Sequence, residues 1–352
     1  MMSVKWRLLD HGMLATLLAL ATAGSLFVVQ PAVAAGRKPV IALSNAYYGN
    51  TWRHQMVEAF NETAEAAKKD GRISDFTVLN GDNTVAQQIS QMSDLILKHV
   101  AAITIDAASL TALNGVIEKA CAAHIVVVAF DSIASAPCAY KLNWNFATWQ
   151  GPETNWIAKK IGGKGNVMIV RGVKGSAPDQ DIYQQQLAVL KKYPEIKIVS
   201  TVFGMASTSV AQSAVSNVLP SLPDIAAVIG QGGGDSFGIA QAFEQFGGVY
   251  ANHMPVIAGD GDASFLHWWM ERHKKTGYST ISMNSAPGIS QAAFWVALDV
   301  LDGEKVPKSM LMSVYTVTDA NLAQYANMKP GTIVSPAYTR EWVEQHLLSQ
   351  GH

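Results

Sequence analysis

Residues 40–53 read VIALSNAYYGNTWR. The first five form an apolar run closing on serine, the pattern of a strand covered on both faces. The following residues turn polar and aromatic. From Trp52-Arg53 onward apolar side chains recur at helical spacing as far as Lys69, and Gly71 stops the helix. A buried strand that opens into such a loop ahead of a helix is how a cleft begins at the carboxyl edge of a parallel sheet.

Upstream lies a pattern suited to export. Lys5 and Arg7 precede a nearly uninterrupted apolar run over residues 13–29, and Ala32-Val33-Ala34 is a small-residue site suited to cleavage before Ala35. The run is at or below the roughly 18–20 residues that span a bilayer. Residues 1–34 are therefore expected to be a signal peptide cleaved after Ala34, rather than an anchor, and the mature chain is expected in the periplasm. No cysteine stands at the new terminus to carry a lipid.

A chain of 352 residues with 49% apolar and 15% charged composition can bury a substantial core, and its length suggests two domains. A formal net charge of −1 gives no electrostatic reason to expect nucleic acid or an anionic membrane as partner, which points to a ligand that is neutral or small. Cys121 and Cys138 are the two cysteines. In an oxidising compartment such a close pair can bridge, and a loop of about 17 residues would add roughly 3 kcal/mol of stability. Two buried free thiols are the alternative. Neither cysteine has partners at metal-ligand spacing, and the nine histidines are scattered, so no metal is expected.

Short apolar runs alternate with helical patterns throughout, which argues for α/β architecture with parallel sheets covered on both faces. Strands are expected at 40–44, 76–79, 101–105 and 125–130, with helices at 52–69, 84–98 and 110–122 between and after them. Asn83 or Thr84 is placed to cap the second helix, with Gln87 reaching back toward Thr84. A Trp- and Asn-rich passage, 142–150, separates this series from a second one. There strands are expected at 166–170, 196–202, 226–230, 256–258 and 278–283, and helices at 153–161, 179–192, 209–219, 236–246 and 289–301. Two stacked doubly wound domains with a cleft between them is the economical arrangement.

Ligands of such sheets bind beyond the carboxyl ends of strands. Asn50, Asp131, Ser132, Gln231, Asp260 and Asn284 all stand at such ends. Each alone could cap a helix or close a turn; their repetition in both halves favours a ligand. Trp52 is either a stacking face or ordinary core, and Arg53 either a ligand contact or a solvated first-turn residue. Helical spacing with Phe265 favours core packing for Trp268-Trp269, while Trp144 and Trp149 are left open.

On the segments IALSNAYYGNTWR, VVVAFD, RGVKG, PDIAAVIGQGGGD and VIAGDGD, in that order, the chain resembles the periplasmic substrate-binding proteins of ABC sugar importers, of the ribose and galactofuranose type. The similarity runs from Val40 through Gly303-Glu304-Lys305-Val306. It implies a type 1 periplasmic binding fold, two doubly wound parallel-sheet domains joined by a three-segment hinge, with lobes at 35–143 plus 285–313 and at 144–284 plus 314–352. It also implies a monomer without cofactor that hands a sugar or polyol to the membrane permease. By the resemblance, Asn50, Trp52 and Arg53 meet the sugar from the first lobe, Asp131 takes two neighbouring hydroxyls, Asp260 is the matching acid of the second lobe and Asn284 falls at the hinge. Departures bear on the guest. Ser132 stands where the family commonly has Arg, residues 178–183 lack another expected Arg, and Gly232-Gly233-Gly234 with Asp235 beyond replace an Asn after Gln231. Ribose itself is therefore not the expected guest.

Two other classes compete. Gly234-Asp235-Ser236-Phe237-Gly238 fits G-x-S-x-G, with Asp260 and then His267 or His273 following. A serine hydrolase using Ser236 needs a sharp elbow directly beyond the strand, whereas Gln231 and three glycines intervene. The same fold can alternatively present its ligand to a chemoreceptor or kinase as a sensory module. No G-x-G-x-x-G or P-loop run supports phosphate binding.

Overall fold

The computed structural model describes residues 38–351; the expected signal peptide lies outside the described residues. In chain order the regular elements begin with β1 (Val40–Asn45), α1 (Thr51–Lys69), β2 (Asp75–Asn80), α2 (Val85–Leu97), β3 (Ala102–Asp106), α3 (Asn114–Ala122), β4 (Val126–Phe130) and β5 (Tyr140–Trp144). They continue with α4 (Gln150–Lys160), β6 (Lys164–Arg171), α5 (Ala177–Leu190), β7 (Glu195–Phe203), α6 (Thr208–Val218), β8 (Ile225–Ile229), α7 (Asp235–Phe246), β9 (Val256–Ile257) and α8 (Ala263–Thr276). The remainder is β10 (Ser282–Asn284), α9 (Ile289–Leu301), β11 (Ser309–Met312), β12 (Tyr315–Val317) and α10 (Arg340–His346).

Two parallel sheets result. The first has the order β11-β5-β4-β3-β1-β2 and the second β7-β6-β8-β9, with β10 and β12 pairing antiparallel beside it. The apolar run of β1 is explained by its place inside the first sheet, paired with β2 on one side and β3 on the other. Helix α9 is apolar almost all round because it packs across α1, β3 and β4 and is covered again by α10. The α/β fold with two parallel-sheet domains is thus as the alternation implies.

Differences from the sequence reading lie at sheet edges and at the tail. Strand β5 falls partly in the passage left without structure, and β11 and β12 were not anticipated. β5 pairs with β4 over three residues only, and β11 alternates buried and exposed at the sheet edge, so neither carries a dense apolar run. Thr84 does cap α2, but the Gln87 amide oxygen accepts from the Asp82 N–H instead of reaching Thr84. The segment after residue 334, allotted above to the second lobe, packs on the first: Arg340 binds Asp299 and Asp302 of α9 and its turn at 2.7 Å each. Helix α10, with Val343 and Leu347 buried, packs directly on α9, which is why the tail leaves the second lobe. Cys121 and Cys138 form a disulfide, which sets aside the free-thiol alternative and ties the end of α3 to the approach to β5.

Candidate functional site

The carboxyl ends of both sheets face one cleft. Asn50 has extended backbone, and its side-chain oxygen accepts from the Arg53 N–H at 2.8 Å, capping α1. This cap directs Trp52 and Arg53, in the first turn, toward the cleft. Three neighbouring strands aim acceptors at the Arg53 guanidinium: Asn45 ends β1 and lies 3.3 Å away, Asp106 ends β3 and pairs with Nη1, and Asp131 follows β4 with Oδ2 3.6 Å from Nη2. Asp131 sits in the left-handed region at φ 53°. Its Oδ1 accepts from the Trp144 indole N–H at 2.7 Å. Burial raises the Asp131 carboxyl above its ordinary range while Arg53 and Trp144 oppose the shift; burial likewise lowers Arg53, opposed chiefly by Asp131.

The second lobe supplies a matching pair. Arg171, at the end of β6, makes a bidentate contact with Asp179 on the first turn of α5, at 2.9 and 2.7 Å. The guanidinium lies between the rings of Tyr183 and Phe203, 4.3 and 4.8 Å from their centroids. Burial raises the Asp179 carboxyl, with Arg171 opposing. Gln231, after β8, fixes the turn beside them: its oxygen accepts from the Gly172 N–H at 2.8 Å and its amide donates to the Asp179 carbonyl at 3.1 Å. At Gly233 the backbone has φ 84° and an added Cβ would lie 2.6 Å from that of Ala206, so only glycine fits there.

Between these pairs is a cavity with Trp52 and Trp149 among its walls. It leaves about 60 Å³ for the centres of water-sized atoms, where about 10–15 Å³ holds one water. A handful of small polar groups, as on a small monosaccharide or polyol, would fill it. The Trp52 and Trp149 indole N–H groups donate to the carbonyls of Ser285 and Met283 at the second crossing between the lobes, at 3.1 and 3.0 Å. The lobes are closed on each other: Asn50 donates to the Met205 carbonyl at 3.4 Å and Asn83 to that of Lys174 at 3.3 Å.

Of the residues expected from the sequence, Asn50, Trp52, Arg53, Asp131 and Gln231 line this cavity. Four do not. Ser132 is buried with its hydroxyl donated to the Ala107 carbonyl. Asp260 has its carboxylate occupied by the N–H groups of Gly234, Ser236 and Asp262 and by the Ser236 hydroxyl, so it braces the glycine turn and does not face a guest. Asp235 is fully buried beside it, and burial together with Asp260 raises its carboxyl well above the ordinary range. Asn284 donates to the carbonyls of Ser285 and Val334 behind the cleft. Asp179, Arg171, Trp144 and Trp149 are what the sequence reading left out or open; RGVKG and 178–183 were both singled out, but not as partners. The Ser236 hydroxyl is buried and bound directly to Asp260 with no histidine between them, so the hydrolase arrangement is not assembled. Trp269 is core and Trp268 stacks on Phe265 at 5.3 Å, as helical spacing predicts.

Residues 41–305 match the family described as periplasmic binding protein domain. Among solved structures, an ABC transporter solute binding protein from Thermobispora bispora is 38% identical, with a TM-score of 0.83 over 89% of this chain and 96% of that one. A periplasmic solute binding protein from Actinobacillus succinogenes with bound D-allose is 23% identical, with a TM-score of 0.69 over 82% of this chain and 100% of that one, a likeness of fold. The xylitol-binding protein of Mycolicibacterium smegmatis is 26% identical over 184 residues, 52% of each chain, so this chain matches about half the length of that relative.

Proposed function

The chain belongs to the periplasmic binding protein domain family, and from that premise we propose that it captures a neutral monosaccharide or polyol between its lobes and delivers it to the membrane permease of an ABC importer. The observation that carries this reading is the cavity itself: Asp131 and Arg53 from one lobe and Asp179, held from behind by Arg171, from the other line it together with Trp52 and Trp149.

Each cleft-facing carboxylate has an arginine beside it, Arg171 for Asp179 and Arg53, shared with Asp106, for Asp131, so neither acid is left without a cationic partner when the lobes close. A carboxylate accepts from two hydroxyls at once, at roughly 1.5–3 kcal/mol per charge-assisted bond. The indole faces suit the apolar C–H side of a sugar. Closing the lobes removes water and strengthens these contacts, which links capture to a shape the permease distinguishes.

The test is a thermal-shift panel on the mature protein with D-xylose, xylitol, D-arabinose, D-allose, D-fructose and myo-inositol. A guest at about one hundred times its Kd adds roughly 2.7 kcal/mol of stability. The expected hit disappears in Asp131→Asn and in Asp179→Asn. Retention of full affinity in both variants counts against this cavity.

A further inference from the structure

After β12 the chain runs along α8 and then turns back to the first lobe, and residues 332–334 lie between the two lobes as an extended strap. Successive amides of an extended chain point to opposite sides, and here each side meets a different lobe. On one edge the Thr332 carbonyl accepts from the Ala263 N–H at 2.9 Å, and the Val334 N–H donates to the Gly261 carbonyl at 3.0 Å. These partners belong to the turn between β9 and α8 of the second lobe. On the other edge Ile333 is gripped by one side chain of the first lobe: its N–H donates to the Gln55 amide oxygen at 2.8 Å and its carbonyl accepts from the Gln55 amide at 3.0 Å. Gln55 lies on α1, the helix that carries Trp52 and Arg53 into the cavity. Beyond the strap the tail is fastened to the first lobe, where Ser335 accepts from the Gly288 N–H at 2.9 Å and Tyr338 donates to Gln291 at 3.0 Å.

We infer that residues 332–334 form a further inter-lobe link beside the chain crossings at 144–150, 284–289 and 312–315, and that Gln55 is a positioning residue that biases the lobes toward the closed arrangement. The strap lies beyond residue 305, where the family match ends. Its two edges belong to bodies that rotate against each other, so carrying α1 away from the 261–263 turn stretches the Gln55–Ile333 pair, while closure keeps both bonds. That difference between the two states is what shifts their ratio. Two neutral hydrogen bonds, at about 0.5–1.5 kcal/mol each, correspond to roughly a tenfold change in the closed-to-open ratio.

The experiment needs no sugar, so its failure is distinct from failure of the sugar-binding reading. Spin labels are placed on the ligand-free mature protein at Ile89→Cys of α2 and Val210→Cys of α6, both exposed, while the native cysteines are held in their disulfide. Inter-lobe distances are measured by double electron–electron resonance with Gln55 intact and in Gln55→Ala and Gln55→Met, the second keeping length and packing while removing both the donor and the acceptor of the amide. Melting curves of each variant confirm folding. The expected result is a gain of about tenfold in the weight of the longer distance relative to the shorter in both variants. A wild-type distribution wholly at the longer distance, or one unchanged in Gln55→Met, overturns the inference.

Discussion

Asp260→Ala separates a bracing acid from a ligand-facing one. The Asp260 carboxylate accepts from the Gly234 N–H at 2.7 Å, the Ser236 N–H at 3.2 Å, the Asp262 N–H at 3.1 Å and the Ser236 hydroxyl. All four donors lie in buried surroundings, and a buried donor left unpaired costs about 1–3 kcal/mol. Relaxation and relief of repulsion offset part of the sum, because Asp260 also pushes up the carboxyls of Asp235 and Glu153. A net loss of about 3 kcal/mol remains, within the usual cost of breaking a buried polar network. At roughly 2–4 °C per kcal/mol for a chain of this order, the melting temperature should fall by about 6–12 °C. The assay is tryptophan-monitored melting, with binding titrated well below the transition using whichever panel sugar stabilises the wild type. Expected is a large loss of stability with affinity nearly kept. A variant that melts with the wild type yet no longer binds would refute the assignment and return Asp260 to the guest.

Asp179→Asn should behave in the opposite way, weakening sugar binding by tenfold or more with a smaller thermal change, since its partner Arg171 stays between Tyr183 and Phe203; isothermal titration decides. Asp262, the cap of α8, has its carboxyl pushed up to about 6, first by burial and then by Asp260. A native value above the unfolded one means that the folded state binds the extra proton, so this contribution is intact near pH 4 and is lost as pH rises through 6. Asp262→Asn, which still caps, should therefore match the wild type near pH 4 and exceed it by up to about 3 kcal/mol above pH 6, read from urea denaturation at both pH values. Reducing the Cys121–Cys138 bridge, or replacing both residues by serine, should remove about 3 kcal/mol, the chain-entropy value for its loop, seen as a lower urea midpoint.

Much of the fold was legible because its central strands are covered on both faces and so read as dense apolar runs, as in 40–45 and 126–130. Strands β5 and β11 were not, since β11 alternates at the sheet edge, β5 beside it is buried at only two of its five residues, and Tyr140-Lys141 and Ser309 carry no dense apolar signal. The return of the tail to the first lobe depends on Arg340 finding Asp299 and Asp302 some forty residues upstream, a pairing that no local pattern announces. In the site, Asn50, Trp52 and Arg53 were readable together through the resemblance of one short segment, and the structure adds that Asn50 caps the helix on which Trp52 and Arg53 stand. Asp179 escaped because its partner Arg171 lies on the preceding strand, and a search for arginine within 178–183 looked on the wrong element.

Strand-end position alone therefore does not select the acids of a cleft. What separates Asp131 from Asp260 is the number of donors that the protein itself directs at each carboxylate. Asp260 receives four from the protein and is filled. Asp131 accepts from the Trp144 indole at Oδ1 and from the Ser132 backbone N–H, half as many donors, and its Oδ2 lies 3.6 Å from Arg53. A carboxylate offers about four lone-pair sites, so Asp131 retains acceptors for hydroxyls while its charge is balanced. Burial explains why that balance is needed, for an unpaired carboxylate there would take up a proton and cease to accept from two hydroxyls at once. Arg53→Met should accordingly weaken binding more at pH 5 than at pH 8, because losing the guanidinium raises the Asp131 carboxyl further and so favours its protonated form at the lower pH. Equal loss of affinity at both pH values, by titration calorimetry, would show that Arg53 meets the guest directly and does not act through Asp131.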